Sequence, residues 1–289
     1  MRVVSLNCSN TEIVHALGAD GALVGVDDDS DFPAGVVERL PKVGRDLDID
    51  VAKVAALRPD LVLASNTVPG HEKVIAALAA AGLPHFAPET ITVADVAADI
   101  REIARRLGCV ARGEAVAGEL EGAVAAAREA VEREEDRCGA NGTSPPPRPR
   151  VLLEWWPKPV IVPGRRSWVT ELIDAAGGAN PFGGAAPADA VKSRPVRDEE
   201  VVAAAPDACV ICWCGVKPEK YRTDVVTGRA AWRDVPALRR GQVHCIPEAF
   251  LGRPGPRLLD GLRALQRVVA AAGAAVSAAT TTVQRGESR

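Results

Sequence analysis

The sequence predicts an α/β protein of two similar lobes, each with a mostly parallel sheet, bridged by one long helix. Three observations lead there. Strand-like apolar runs alternate with helix-like segments on both sides of the chain's middle, the pattern of parallel strands covered on both faces. Residues 92–138 carry helical periodicity without a strand signal. The flanking halves also echo each other: VAALRPDLVLA at 54–64 matches VVAAAPDACVI at 201–211, and His85-Phe-Ala-Pro-Glu89 matches His244-Cys-Ile-Pro-Glu248. A length of 289 residues exceeds the usual single domain and suits two lobes.

Taken in order, RVVSL (2–6) reads as a short buried strand. Ser9-Asn-Thr-Glu12 has the form of a capping box, opening a helix that Gly18 ends. The strand LVGV leads to the polar loop Asp27–Pro33. The helix DVAKVAALR passes through Pro59-Asp60 into the strand LVLAS, and the loop Asn66–His71 precedes another helix. The strand HFA closes this lobe near residue 90.

Residues 91–138 form the bridging helices, starting at Thr92. Val116, Leu120, Val124, Ala127 and Val131 recur at three- and four-residue spacing, an apolar stripe on one helical face. A helix over 111–137 is about 40 Å long at 1.5 Å per residue, more than one small lobe needs.

GANGTSPPPRPR places an exposed Pro/Gly loop at 139–150. The pattern then restarts over 151–273, with strand VLLEW, helix VTELIDAAGG, the helix–turn–strand EEVVAAAPDACVICW, strand QVHCI and helix PRLLDGLRALQRVV. Residues 274–289 read as a flexible tail. The repeated strand–helix order makes both lobes Rossmann-like, spanning 1–90 and 151–273.

Composition narrows the function. With 47% hydrophobic and 25% charged residues, the chain can build sizeable cores. A formal net charge of −3 gives no electrostatic footprint for nucleic acid or an anionic membrane. No apolar run approaches the roughly 18 residues of a membrane span. Seven cysteines in no tight framework, and an opening that reads directly as a strand, predict a cytoplasmic protein.

Ligands of open parallel sheets bind beyond the carboxyl ends of the strands, and two facing lobes make a cleft there. From the first lobe the candidate ligand-binding residues are Asn7, Cys8 and Ser9, then Ser30, Asp31 and Phe32, then Asn66, Thr67 and Val68. From the second they are Trp155 and Trp156, Arg165 and Trp168, Trp213 and Cys214, then Glu248, Phe250 and Arg253. All five tryptophans and the single tyrosine lie in the second half. A tryptophan near a strand end is more often core than ligand wall. Four of them spread over three candidate loops (Trp155 and Trp156, Trp168, Trp213) favour a wall for a broad, flat ligand.

Catalytic signatures are absent from the sequence. There is no G-x-S-x-G elbow, no G-x-G-x-x-G and no P-loop, so a binder is expected and not an enzyme. Cys209-x-x-Cys212-x-Cys214 lacks a second pair, and strand alternation puts Cys209 opposite Cys212, so no metal site is expected. His71, at a helix start in a candidate loop, is a capping or solvated residue first and a metal ligand second.

The order and spacing of these segments resemble a known family. VVSLNCSNTEIVHALG, LVGVDDDSDFP, LPKVG and VAALRPDLVLAS are similar to the first lobe of the helical-backbone (class III) substrate-binding proteins of ABC transporters. LLEWWPKPVIVPGRRSWVTELIDAAGGANPF, SRPVRDEEVVAAAPDACVICWCG and AFLGRPGPRLLDGL are similar to the second. The resemblance spans roughly residues 2–270 and is strongest to the cobalamin-binding branch.

It implies non-catalytic binding of a cobalamin-type corrinoid between two lobes, for uptake or intracellular handling. Alternatives on the same scaffold are a receptor for a ferric siderophore, haem or other metal complex, and a corrinoid-processing enzyme acting through Cys214. The family role implies a periplasmic or extracellular location and a permease partner docked by one glutamate on each lobe. Glu199 matches the second of these, whereas Ala52 replaces the first.

Overall fold

The computed structural model describes residues 1–184 and 193–287. The chain folds into two compact units. One comprises Met1–Glu121 with Arg253–Arg257; the other comprises Gly122–Gly252 and the chain from Leu258 onward.

In the first unit, β1 (Val3–Ser5), α1 (Cys8–Ala16), β2 (Leu23–Val26), α2 (Ala34–Val37), the short strands β3 (Gly44–Arg45) and β4 (Asp48–Ile49), α3 (Val51–Ala56), β5 (Leu61–Leu63), α4 (His71–Ala80), β6 (His85–Phe86) and α5 (Val93–Leu107) follow in order. The main sheet runs β2-β1-β5-β6, parallel throughout, with β3 and β4 as a separate antiparallel ribbon. Val4, Val62, Ala64, Val54 and Leu78 pack together as a core between sheet and helices.

The helix α6 (Val110–Ala140) carries the boundary between the units, at Glu121. Val116, Leu120, Val124 and Ala127 of its apolar stripe are buried. A capping box starts α5: the Thr92 hydroxyl accepts from Asp95 N at 3.1 Å, while the Asp95 carboxylate accepts from Thr92 N at 2.8 Å. The box expected at Ser9–Glu12 does not form. Asn7 caps α1 instead, its side-chain oxygen accepting from Asn10 N at 3.2 Å, so Ser9 and Glu12 lie inside the helix.

The second unit holds β7 (Val151–Glu154), β8 (Trp156–Pro157), β9 (Val160–Pro163), α7 (Trp168–Ala175), β10 (Ser193–Val196), α8 (Asp198–Ala204), β11 (Ala208–Ile211), α9 (Thr223–Thr227), α10 (Pro236–Arg239), β12 (Val243–Cys245), α11 (Glu248–Leu251) and α12 (Leu258–Glu287). Its parallel sheet is β12-β11-β7. An antiparallel ribbon β10-β9-β8, absent from the sequence reading, follows β7. Where the sequence suggests a tail after residue 273, α12 continues to Glu287, in keeping with its alanine-rich, strongly helix-forming composition.

The internal echo is a repeat in backbone detail. Arg58 and Ala205, the last residues before each Pro-Asp, both take positive φ, 47° and 44°. Asp60 accepts from Arg2 N at 2.6 Å, and Asp207 accepts from Arg150 N at 3.0 Å. Each of these arginines also donates from its side chain to a carbonyl at the end of the preceding helix, Leu57 O or Ala204 O. Strands β1-β5-β6 therefore correspond to β7-β11-β12, each trio tied by the same arginine–aspartate clip.

Asp207 accepts in addition from Arg240 at 3.1 Å. Burial pushes its carboxyl up, but the contacts with Arg150 and Arg240 outweigh this and hold it below the usual range. Asp207→Ala is expected to cost about 1–2 kcal/mol, the scale of losing charge-assisted hydrogen bonds, with Asp60→Ala costing less because its clip is exposed. Urea unfolding of both variants checks this ordering.

Candidate functional site

Strand order reverses at β1, which has β2 on one side and β5 on the other, so the first unit's crevice lies at the carboxyl ends of these strands. The loops Asn7–Ser9, Asp27–Phe32 and Asn66–Gly70 emerge there. Their side chains divide into structural and presented groups.

Ser9 and Ser30 are buried. Ser9 donates to the Asn7 side chain at 3.3 Å. The Ser30 hydroxyl donates to the Asp27 carboxylate and lies 2.8 Å from Thr11 Oγ1, which donates to Ser5 Oγ at 2.8 Å. This buried chain fixes the loop after β2. Desolvation raises the Asp27 carboxyl to about 6, opposed by its hydrogen bonds from Ser30 and Asp29 N. Cys8 is half-buried, its thiol donating to Asp29 O at 3.1 Å.

Phe32 is exposed. Its ring meets His15 edge-on at 5.4 Å and carries the Arg257 guanidinium 4.6 Å from its centroid. Thr67 pairs with Ser65 at 2.9 Å, and Val68 is exposed beside the half-buried Asn66.

Arg253, expected among the second lobe's loops, belongs to the first unit. Its guanidinium donates to Glu12 at 2.8 Å and to Asp31 at 2.6 Å, because Glu12 is buried inside α1 and requires a cation. Arg257 adds a contact to Glu12 at 3.3 Å. The Glu12 carboxyl is raised by burial, which the two arginines only partly offset. For Asp31 the balance is reversed: burial would raise it, but the Arg253 contacts hold it low.

His71, a second-choice cobalt ligand by sequence, is buried with partners at both ring nitrogens: Asp46 at 2.9 Å on Nε2, and the amides of Thr67 and Val68 on Nδ1.

In the second unit the tryptophans do not act alike. Trp155 and Trp156 alternate, leaving Trp155 buried and Trp156 41% exposed on β8. Trp168 is the first residue of α7, half-buried, with its indole N–H on Leu251 O at 2.7 Å. Trp213 is only 5% exposed. Its N–H donates to Glu154 at 2.8 Å and its ring meets Tyr221 edge-on, so it serves the core and not an open wall. Arg165 and Cys214 are exposed; Glu248 and Phe250 are intermediate. Glu248 N takes the Tyr221 hydroxyl as acceptor at 3.1 Å.

Three residues that the sequence reading passed over organise this unit. Glu154, fully buried at the carboxyl end of β7, holds Trp213 and forms a two-point ion pair with Arg229 at 2.5 and 3.1 Å. Arg229 lies over the Trp232 ring at 4.2 Å, and the buried Trp232 donates to Asp198 at 2.7 Å. The available signal was a lone acid ending the otherwise apolar strand VLLE.

Cys209 and Cys212 are buried thiols, and desolvation raises Cys209 to about 12. Among the described residues no cluster of His, Cys, Asp and Glu could hold a metal ion, and no helix is long and apolar enough to cross a membrane. Glu199 stands exposed in the first turn of α8, and Ala52 stands exposed at the same place in α3.

The periplasmic binding protein family model matches residues 3–249. An uncharacterized ABC transporter substrate-binding lipoprotein of Bacillus subtilis, YvrC, is 29% identical over 267 residues, covering 91% of this chain and 78% of the relative. A vitamin B12-binding protein of Vibrio parahaemolyticus is 26% identical over 266 residues, covering 90% and 86%. Among solved structures, the periplasmic heme-binding protein RhuT from Roseiflexus in its apo form is 29% identical with a TM-score of 0.75, covering 95% of this chain and 98% of that one.

Proposed function

The chain belongs to the periplasmic binding protein family of non-catalytic solute-binding proteins, and from that premise we propose that it carries a cobalamin-type corrinoid for an ABC transporter. The observation that carries the ligand class is Trp156, a large indole held open at the carboxyl edge of the second unit, where most other tryptophans are buried. A rigid aromatic face suits the broad rim of a macrocycle. The relative named for vitamin B12 binding, similar over nearly its whole length, supports the same choice.

Haem is the second reading, favoured by the likeness to the heme-binding RhuT. Haem iron takes an axial His, Tyr, Cys or Met from its protein. The chain's one tyrosine has its hydroxyl engaged with Trp213 O and Glu248 N, and both His71 nitrogens are engaged, so of the candidate loops it is the exposed Cys214 that could meet this demand. A corrinoid, whose cobalt arrives with its own axial ligands, makes no such demand.

Titration with cyanocobalamin, hydroxocobalamin and hemin, followed by calorimetry and visible absorption, tests the choice. Saturable one-to-one binding of the cobalamins, undisturbed by hemin, is expected; preferential capture of hemin reverses it. Trp156→Ala should weaken cobalamin binding about tenfold, roughly 1–1.5 kcal/mol of lost aromatic contact.

The family's members work in the periplasm or outside the cell, and this reading places the chain with them; the cytoplasmic expectation has no support among its relatives. Its permease would meet Glu199 on one unit. On the other, the exposed Asp48 and Asp50, both preceding Ala52, would supply the negative charge, with Asp50 partly offset by its pairing with Lys53 at 3.6 Å.

A further inference from the structure

The β3–β4 ribbon ties together two loops at the carboxyl edge of the first unit's sheet. Toward the loop after β2, Gly44 N donates to Asp28 Oδ1 at 3.1 Å, Asp28 N donates to Gly44 O at 2.8 Å, and Arg45 pairs with Asp29 at 2.8 Å. Gly44 has φ of 110°, and a Cβ there would lie 2.3 Å from Asp48 O, so only glycine fits. Toward the loop after β5, Asp46 meets His71 Nε2 at 2.9 Å. Leu47 rests on Gly70, where an added Cβ would lie 3.1 Å from its Cδ2. The ribbon thus links the two loops whose strands flank β1.

His71 is the joint. It is 5% exposed, and its Nδ1 lies 3.2 Å from Thr67 N and 3.4 Å from Val68 N. Backbone amides only donate, so Nδ1 is an acceptor and the ring proton sits on Nε2, aimed at Asp46. One imidazole therefore shapes the turn 67–70 from inside and fastens it to the ribbon. Beside this joint Val68 and Leu47 are 43% and 51% exposed, two apolar side chains presented by the linked segments.

We infer that His71, fixed as its Nε2–H tautomer, is the positioning residue of the first unit's ligand loops, acting through the Thr67 and Val68 amides and through Asp46. This rests on the proposed function for its ligand, but its structural content is independent of which ligand binds.

Two kinds of measurement test it on the full chain. Nitrogen-15 NMR of the imidazole should show an acceptor-type Nδ1 and a protonated Nε2 at neutral pH; the opposite tautomer or a charged ring overturns the assignment. Amide hydrogen exchange then separates the contacts. Asp46→Asn keeps an acceptor for Nε2–H and should leave exchange at residues 44–49 and 66–70 as in the wild type. Asp46→Ala should speed it about tenfold, with matching loss of cyanocobalamin affinity.

His71→Asn, which can still present an oxygen to the amides, should protect Thr67 and Val68 better than His71→Gln, which reaches toward Asp46 instead. Asp46 is half-exposed, so its variants should fold. Unchanged exchange in Asp46→Ala overturns the positioning role. Failure of wild type to bind cyanocobalamin, with the tautomer and exchange results intact, removes the corrinoid reading and leaves the positioning role standing.

Discussion

Glu154→Ala is expected to lower the stability of the second unit by about 3–5 kcal/mol, the range for removing one partner of a buried ion pair. The carboxylate is 1% exposed, and its two oxygens accept from Arg229 twice and from Trp213 once. Without it Arg229 keeps only the Pro157 carbonyl, at 3.3 Å, and the face of Trp232. A largely buried guanidinium then loses its carboxylate partner, and a buried indole N–H loses its acceptor. Glu154→Gln should cost less, since the amide oxygen can still take the Trp213 N–H.

All five tryptophans lie in the second unit, so tryptophan fluorescence during urea unfolding reports on that unit alone. An unfolding free energy for Glu154→Ala within about 1 kcal/mol of wild type would show the pair to be dispensable. A rigid-wall role for Trp156 also depends on this network, because β8 begins two residues after Glu154.

The repeated architecture was legible in the sequence because it rests on period and punctuation. Pro-Asp after α3 and after α8, glycine stops and the 3.6-residue stripe of α6 act through nearby residues. What escaped was long-range pairing. Nothing local to Arg253 says that it will neutralise Glu12, 241 positions away, and nothing local to Trp213 says that Glu154 will bury it.

The Ser9–Glu12 pattern shows the same limit from the other side. It satisfies a capping template, yet Asn7, two residues earlier, also carries a short polar side chain and takes the cap. Glu12 was then free to be placed by the tertiary ion pair. The β10-β9-β8 ribbon was missed because its strands are two to four residues long and broken by prolines. Tryptophan counting located an aromatic unit correctly, but only side-chain alternation and indole hydrogen bonding decide which rings face outward.

The other large effect expected is a fall in stability of the first unit as pH rises, with Asp27 as its main source. Asp27 is 1% exposed, and desolvation raises its carboxyl from 3.8 to about 6 despite the hydrogen bonds from Ser30 and Asp29 N. Between these two values the folded state holds a proton that the unfolded state has released. The stabilisation is therefore fully present below about pH 4 and is lost as pH climbs through 6, opposite in sign to a salt-bridged carboxylate. The difference between 3.8 and about 6 corresponds to roughly 3 kcal/mol.

Asp99, raised to about 6 by the same desolvation with Thr90 as its hydrogen-bond donor, adds to the trend. In Asp27→Asn the neutral amide can accept from Asp29 N and donate to Ser30, so the buried chain to Thr11 and Ser5 survives without a charge to desolvate. The variant should match wild type near pH 4, be the more stable of the two near pH 7, and retain the shallower slope left by Asp99 and by the buried Glu12. Because the first unit contains neither tryptophan nor tyrosine, far-ultraviolet circular dichroism during urea unfolding at several pH values is the appropriate probe. Parallel stability curves for the two proteins across that interval would mean that Asp27 stays ionised in the fold, and that the hydrogen bonds from Ser30 and Asp29 fully compensate its burial.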